Sequence, residues 1–315
     1  MRRPAVRADW SGRSDAADGE RARRWHQVVR PRDVAEAPIS LIGFACDAGV
    51  TRNLGRPGAA AGPAALRKAL ANVAAHHLDR VDDLGSVSCE GDALEQAQAA
   101  YAGVVAAAIG AGSVPIGLGG GHEIALASYL GLDGAAPPGE SVGILNFDAH
   151  FDLRGGDRAS SGTPFRQILE HAAGAGRRAE YLCLGVSRFA NTAALFDRAR
   201  ALGVRWVEDG DCSADRLAAL GDEVAGLAAR VDHLYLTVCL DVFPAAAAPG
   251  VSAPAALGVA PALVERLLEV AVASGKLRVA DVAELNPRHD IDGRTARLAA
   301  RLVAGIAEGV VQAAG

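Results

Sequence analysis

Histidines and carboxylates directly follow several apolar, strand-like runs of this chain. The clearest group is Asp148, His150 and Asp152, which comes after the apolar residues 142–147. In an extended segment alternate side chains share a face, so we expect these three side chains to point the same way. Burying three such polar groups near a strand end would be costly without a cation. The spacing therefore predicts a metal site.

Two further candidate ligands follow other apolar runs. His122 ends a Gly-Gly-Gly-His segment, and Asp241 ends the segment Cys239-Leu240-Asp241. Either segment alone is a weak signal, because glycine clusters usually mark turns and aspartates after strands often cap helices. Taken together, nitrogen and carboxylate donors with little sulfur suit Mn²⁺ or another hard to borderline divalent ion. The first hypothesis is a metal-assisted hydrolase.

The alternation of elements predicts how these strand ends meet. Short apolar runs predict strands at residues 39–46, 114–118, 142–147, 181–186, 234–240 and 277–285. Ala-rich and amphipathic stretches predict helices at 63–75, 93–110, 192–202, 214–229, 261–273 and 294–313. This order favours a three-layer α/β/α fold with a mainly parallel central sheet. Ligands of such sheets bind at the carboxyl ends of the strands, where the candidate residues fall.

Composition and charge narrow the class of protein. Half of the 315 residues are apolar, enough for a substantial core, and a net charge of -5 argues against nucleic-acid binding. No apolar stretch approaches the length of a membrane span, and the charged N-terminus lacks an apolar signal core. The five cysteines are odd in number and scattered, as in proteins of a reducing compartment. We therefore expect a cytoplasmic protein without nucleic-acid or membrane partners.

The first residues differ in composition from the rest. Arginines are frequent there and are interleaved with acids, which predicts a solvated N-terminal arm over residues 1–35 and a single α/β domain over 36–315. The arginines of this opening are Arg2, Arg3, Arg7, Arg13, Arg21, Arg23 and Arg24.

Four motifs carry a family resemblance. Gly-Gly-Gly-His-Glu at 119–123, Asn-Phe-Asp-Ala-His-Phe-Asp at 146–152, Leu-Asp at 240–241 and Glu-Leu-Asn-Pro at 284–287 resemble the ureohydrolase superfamily of arginases, agmatinases and formimidoylglutamases. Further stretches are similar to the formimidoylglutamase branch, at 10–13, 25–27, 49–56, 152–154, 160–165, 187–192 and 248–254. The resemblance implies an arginase-like fold and two Mn²⁺ per subunit. It also implies hydrolysis of N-formimidoyl-L-glutamate to glutamate and formamide in histidine degradation, and we expect a small-molecule substrate and a homo-oligomer.

The resemblance also implies ligand roles for the candidate residues. His122 and Asp152 are expected to bind one Mn²⁺, and His150 and Asp241 the second. Asp148 is expected to bridge the two ions.

Other residues are expected to act on the substrate. Glu284, in the Glu-x-Asn-Pro position, would pair with the cationic nitrogen, so Glu284 and the bridging Asp148 are the expected catalytic residues. Arginases carry Asn where this chain has Arg154, and a His where it has Ser161. Arg154 adds a charge that can bind a carboxylate in a bidentate way, as a glutamate tail requires. Arg154, Ser161, Arg188 and Asn191 are the expected substrate-binding residues.

Cys239 departs from the superfamily pattern. It occupies the position of a second bridging carboxylate. If Cys239 is a thiolate, it would be a softer ligand that favours Zn²⁺ or Fe²⁺. If it is a neutral thiol, one metal would be under-coordinated. A third reading is that Cys239 is simply a small buried residue and not a ligand. Two alternatives stay open: a ureohydrolase acting on arginine, agmatine or a guanidino acid, and a pseudoenzyme holding one metal or none.

Overall fold

The structure, a computed structural model, describes residues 1–4 and 9–314, so Arg7 of the arginine-rich opening lies outside the described residues. The strands are β1 (Arg2–Arg3), β2 (Val29–Pro31), β3 (Ile39–Ala45), β4 (Val81–Ser88), β5 (Val114–Leu118), β6 (Val142–Phe147), β7 (Ala179–Val186), β8 (Arg205–Glu208), β9 (His233–Cys239) and β10 (Leu277–Ala283). The helices are α1 (Trp25–Val28), α2 (Ala48–Arg52), α3 (Gly62–Leu70), α4 (Leu94–Gly110), α5 (Ile124–Ala135), α6 (Pro164–Gly174), α7 (Ala193–Ala201), α8 (Leu217–Arg230), α9 (Pro261–Ala273) and α10 (Arg294–Ala314).

The strands form one twisted sheet covered by helices on both faces. Their order is β1-β4-β3-β5-β10-β9-β6-β7-β8, with β2 also paired to β4. Every pair is parallel except the short β1 with β4. One apolar core packs α3, α8, α9 and α10 against the sheet, and a second packs α4, α5, α6 and α7 against its other face. The predicted three-layer α/β/α fold is confirmed.

The sheet order explains why the candidate ligands meet. Strands β5, β10, β9 and β6 are consecutive neighbours and parallel, so their carboxyl ends lie side by side at one edge. His122 follows β5, Glu284 follows β10, Asp241 follows β9, and Asp148 follows β6. Residues far apart in the chain are thereby brought to one place.

The N-terminal segment is not solvated along its whole length, unlike the predicted arm, because its two tryptophans are buried. Trp10 is 3 % exposed and Trp25 is fully buried, and both belong to the apolar core that contains α3 and α10. Trp10 donates a hydrogen bond from its Nε1 to Asp83 Oδ2 at 2.7 Å. The arginines of the opening suggested solvation, but the apolar surface of the two tryptophans outweighs them. The single-domain organisation stays a prediction.

Two other expectations concern membranes and thiols. No described helix is both long and apolar enough to cross a bilayer. All five cysteines are free thiols.

Candidate metal centre

The segment after β6 carries three of the predicted ligands, but not in the expected regular extended form. The strand ends at Phe147, the chain then bends, and Asp152 adopts a positive φ of 48°. The backbone N–H of His150 donates to Asp148 Oδ1 at 2.7 Å, which stabilises this bend. The three side chains converge because the segment turns, and a non-glycine residue at positive φ is a form of strain often found at functional sites.

Asp148 lies between the two histidines. Its Oδ2 is 2.9 Å from Nδ1 of His122, and its Oδ1 is 3.5 Å from Nδ1 of His150. Asp152 Oδ2 is 3.0 Å from the same Nδ1 of His122, and Asp241 Oδ2 is 3.2 Å from Nδ1 of His150. Each histidine therefore faces two carboxylates, of which Asp148 is the shared one.

The end of β9 contributes a thiol and a carboxylate to this cluster. Possible ligand atoms of His122, Asp148 and Cys239 lie within 4.8 Å of one another, as do those of Asp148, His150 and Asp241. Cys239 is 1 % exposed. Burial, together with the nearby Asp148 and Asp241, raises its thiol pKa well above the usual value. Two overlapping groups of donors thus share Asp148.

Glu284 is fixed at the rim of this cluster by the backbone. It follows β10 with a φ of 72°, and its Oε1 accepts a hydrogen bond from the His122 backbone N–H at 2.9 Å. Its Oε2 is buried and has no hydrogen-bond partner among the described residues. Burial and the neighbouring acids Glu123 and Asp241 raise its pKa to about 8. One carboxylate oxygen therefore has no partner within the described part of the chain.

The glycines before His122 are needed for space. A Cβ at Gly120 would lie 1.8 Å from the carbonyl oxygen of Cys46, and one at Gly121 would lie 2.0 Å from Glu123 Oε2. Neither glycine has a positive φ. The Gly-Gly-Gly segment thus lets the start of α5 approach the ends of β3 and β10 closely, which places His122.

The acids and histidines of the cluster shift one another's pKa values. Burial raises the pKa of Asp148, but the two histidines hold it well below its usual value. Burial lowers the pKa of His122, whereas Asp148 and Asp152 raise it well above the usual value. Burial and the charge of Asp148 raise the pKa of Asp152 to about 6.

Buried acids outnumber the cations that could neutralise them in this cluster. Oδ1 of Asp241 is also buried and lacks a hydrogen-bond partner within the described residues. Such groups are expensive to bury unless they are paired or bind a metal. Their oxygen and nitrogen donors suit Mn²⁺, and Cys239 adds one soft donor.

A cleft of about 290 Å³ opens over the cluster. Arg154, Ser161 and Asn191 line it together with most of the ligand-type side chains, whereas neither Asp148 nor the exposed Arg188 is one of its lining residues. A larger groove of about 940 Å³ lies along α9 and α10, but neither ligand-type group lies there. The structure thus brings three of the four predicted substrate-binding residues to the cleft.

The three residues differ in how free their side chains are. The guanidinium of Arg154 has no hydrogen bond or ion pair to any described residue. Ser161 Oγ accepts a hydrogen bond from Asn53 Nδ2 at 3.1 Å. Asn191 donates to the carbonyls of Ala149 and Ser187, both at 2.9 Å, and accepts from the N–H of Phe151, so its amide holds the loop around His150.

Sequence reasoning missed several residues of this region. Asn53, Arg56 and Ser252 line the cleft, in stretches that carried the resemblance but suggested no role. Thr237 and Asp281 lie behind His122 in the sheet. One feature of the sequence could have pointed to Asp281, because it is the single acid in the predicted apolar strand at 277–285 that precedes Glu284.

Comparison with known proteins identifies the class. The arginase family model matches residues 37–307, and the chain belongs to the arginase family. A formimidoylglutamase of Ralstonia nicotianae is 55 % identical over 310 residues, covering 96 % of this chain and 95 % of the relative.

Solved structures agree with this assignment. A crystal structure of Trypanosoma cruzi formiminoglutamase with Mn²⁺ superposes with a TM-score of 0.77 at 28 % identity, covering 87 % of this chain and 94 % of the other. Formimidoylglutamase from Bacillus subtilis, at 19 % identity, shares the fold with a TM-score of 0.84 and covers 96 % of this chain and 94 % of its own.

Proposed function

We propose that this chain is a metal-dependent hydrolase that cleaves N-formimidoyl-L-glutamate to L-glutamate and formamide. Relatives named formimidoylglutamase, 52 to 55 % identical over nearly the whole chain, support a hydrolase acting on a non-peptide C–N bond of a linear amidine. The observation that carries the proposal is the cleft itself, where four neighbouring strand ends place two histidines and several acids beside Arg154.

Two Mn²⁺ ions are proposed for the donor set. We assign His122 and Asp152 to one ion, His150 and Asp241 to the other, and Asp148 to both. When bound, such ions polarise a C=N group and lower the pKa of water, which makes hydroxide available near neutral pH. The distances from Asp148 to both histidines support the shared position.

Glu284 is proposed to orient the reacting end of the substrate. Glu284 lines the cleft, its Oε1 is held by the His122 backbone N–H, and its Oε2 has no partner among the described residues. That oxygen can accept a charge-assisted hydrogen bond from the protonated formimidoyl nitrogen. The hydrogen bond would turn the electrophilic carbon toward the ligand cluster and stabilise the cationic form of the substrate.

Arg154 is proposed to bind the other end of the substrate. Its guanidinium is exposed at the cleft and unpaired within the described part of the chain, so it can meet a carboxylate without first breaking an ion pair. Glutamate offers two carboxylates, whereas agmatine offers none. A planar guanidinium binds such a group in a bidentate way.

Product analysis tests this function. The Mn²⁺-loaded protein is incubated in parallel with N-formimidoyl-L-glutamate, L-arginine and agmatine, and the products are followed by proton NMR. We expect formamide and glutamate from the first substrate and no urea from the others. Urea without formamide would favour another ureohydrolase, and no product despite bound Mn²⁺ would favour a pseudoenzyme.

Location and assembly are separate proposals. The five free thiols support a reducing, cytoplasmic location. A homo-oligomer stays a prediction, which light scattering of the purified protein tests.

A further inference from the structure

A buried series of hydrogen bonds extends from His122 away from the cleft. Nε2 of His122 lies 3.0 Å from the hydroxyl of Thr237, and that hydroxyl lies 2.5 Å from Asp281 Oδ1. Oδ2 of Asp281 accepts from the hydroxyls of Ser128 at 2.6 Å and Tyr235 at 2.7 Å. All five residues are at most 1 % exposed, and neither Thr237 nor Asp281 lines the cleft.

The chemistry of these groups sets the direction of the hydrogen bonds. An ionised carboxylate only accepts, so Thr237 must donate its single hydrogen to Asp281. The Thr237 oxygen then accepts from His122, which requires the proton on Nε2. In the neutral imidazole this leaves a lone pair on Nδ1, the atom 2.9 Å from Asp148 and 3.0 Å from Asp152.

We propose that Thr237 and Asp281 are positioning residues that hold His122 in the tautomer and orientation in which Nδ1 binds the metal. The inference rests on the proposed metal site. Histidine ligands commonly donate their other ring N–H to a fixed acceptor, and losing that acceptor weakens metal binding. Here the acceptor is a hydroxyl, which Asp281 in turn orients.

The same carboxylate provides a matched control. Ser128 donates a hydrogen bond of 2.6 Å to Asp281 but has no hydrogen bond to His122. If the network only stabilised the core, removing either hydroxyl would have the same consequence. If it positions His122, only removal of the Thr237 hydroxyl should change metal affinity strongly.

The test compares Mn²⁺ binding by metal-free wild-type protein with binding by Thr237→Val, Thr237→Ser, Asp281→Asn and Ser128→Ala. Electron paramagnetic resonance counts free Mn²⁺ during each titration, and the thermal midpoint of each metal-free protein reports stability. We expect Thr237→Val to weaken one of the two sites about tenfold to hundredfold. Thr237→Ser should keep most of the affinity, because the hydroxyl is retained. Asp281→Asn should weaken the same site, because an amide can donate as well as accept and Thr237 no longer has to donate to it. Ser128→Ala should lower the midpoint without changing affinity.

Different outcomes overturn different claims. Unchanged affinity in Thr237→Val and Asp281→Asn, or equal weakening in Ser128→Ala, would overturn the positioning role. Wild-type protein that binds no Mn²⁺ would instead overturn the proposed metal site. Should Thr237→Val fail to fold, Asp281→Asn still decides, because the amide keeps the size and shape of the carboxylate.

Discussion

Arg154 is the residue on which substrate choice depends most in this account. We expect Arg154→Ala to lower kcat/KM for N-formimidoyl-L-glutamate about tenfold to hundredfold, because one charge-assisted hydrogen bond to a carboxylate is lost. The thermal midpoint should change little, since the guanidinium has no partner among the described residues. Steady-state kinetics and a thermal melt on the same preparation measure both quantities.

Arg188 offers the matched control for this prediction. Arg188 is also an exposed arginine, and it precedes the cleft residues Ala190 and Asn191 in the chain. It is not itself one of the cleft's lining residues. Arg188→Ala should therefore retain kcat/KM. Equal losses in both variants would point to a general electrostatic effect, and a loss in Arg188→Ala alone would give Arg188 the role assigned to Arg154.

Cys239 is the residue on which occupancy of the proposed second metal depends in this account. If a carboxylate is needed there, Cys239→Asp should raise Mn²⁺ occupancy and formamide release together, because a hard anionic donor replaces a soft one. If the thiolate already binds, the unmodified protein should be fully active and Cys239→Ser should lose activity. Titrating Mn²⁺ into the metal-free Cys, Asp and Ser forms while following hydrolysis separates the two cases.

A third outcome would remove Cys239 from the metal site. Should all three forms bind two Mn²⁺ equally and turn over equally, Cys239 is only a buried neighbour of the cluster. Its closeness to His122 and Asp148 would then reflect packing at the end of β9.

Spacing alone predicted which side chains lie close together, but not the backbone geometry that brings them there. The Asp-x-His-x-Asp pattern predicted that these side chains converge, as they do, but for a regular extended segment. The structure joins them through a bend with Asp152 at positive φ. The same holds for Glu284, whose φ of 72° no pattern of apolar residues reveals. Contacts such as that of Thr237 with His122 depend on tertiary packing and left no local signal.

At the scale of elements, apolar strands were predicted well. The bounds of β5 and β6 agree at both ends, as do those of α9. Helices α5 and α6 were missed, α5 because it is apolar on nearly all sides and follows a glycine cluster that resembles a turn. Strand β4 was missed because Asp82 and Asp83 resemble a loop.

Strand β4 can hold two buried acids because partners neutralise them. Asp83 receives two hydrogen bonds from the Arg67 guanidinium at 2.8 Å each, and a third from Trp10. Arg67 and Asp83 are 5 % and 0 % exposed. The ion pair thus ties α3 and the N-terminal segment to the sheet.

We expect Asp83→Ala to lower the free energy of unfolding by about 3 to 5 kcal/mol, since it leaves the buried charge of Arg67 without a partner. Asp79→Ala is the control, because Asp79 also pairs with an arginine, Arg23, but its side chain is 92 % exposed. This substitution should change the free energy of unfolding by no more than about 0.5 kcal/mol. Urea unfolding of both variants measures the difference. Equal stability of the two variants would mean that the Arg67–Asp83 ion pair adds nothing to the stability of the fold.

At the scale of the whole molecule, the order of the strands creates the site. The alternation of strands and helices predicted the three layers, but not that β10 inserts between β5 and β9. That insertion sets Glu284 between His122 and Asp241, and it depends on pairing between strands far apart in the chain. Local patterns contain no information on such pairing.

Anomalous scattering from crystals grown with Mn²⁺ tests the central claim most directly. We expect two anomalous peaks at the manganese edge, one beside His122 and Asp152 and one beside His150 and Asp241, with Asp148 contacting both. Metal analysis of the same protein should give two Mn²⁺ per chain. A single peak would support the one-metal alternative, and no peak at these residues in the presence of saturating Mn²⁺ would contradict the account of this cleft as a two-metal hydrolase centre.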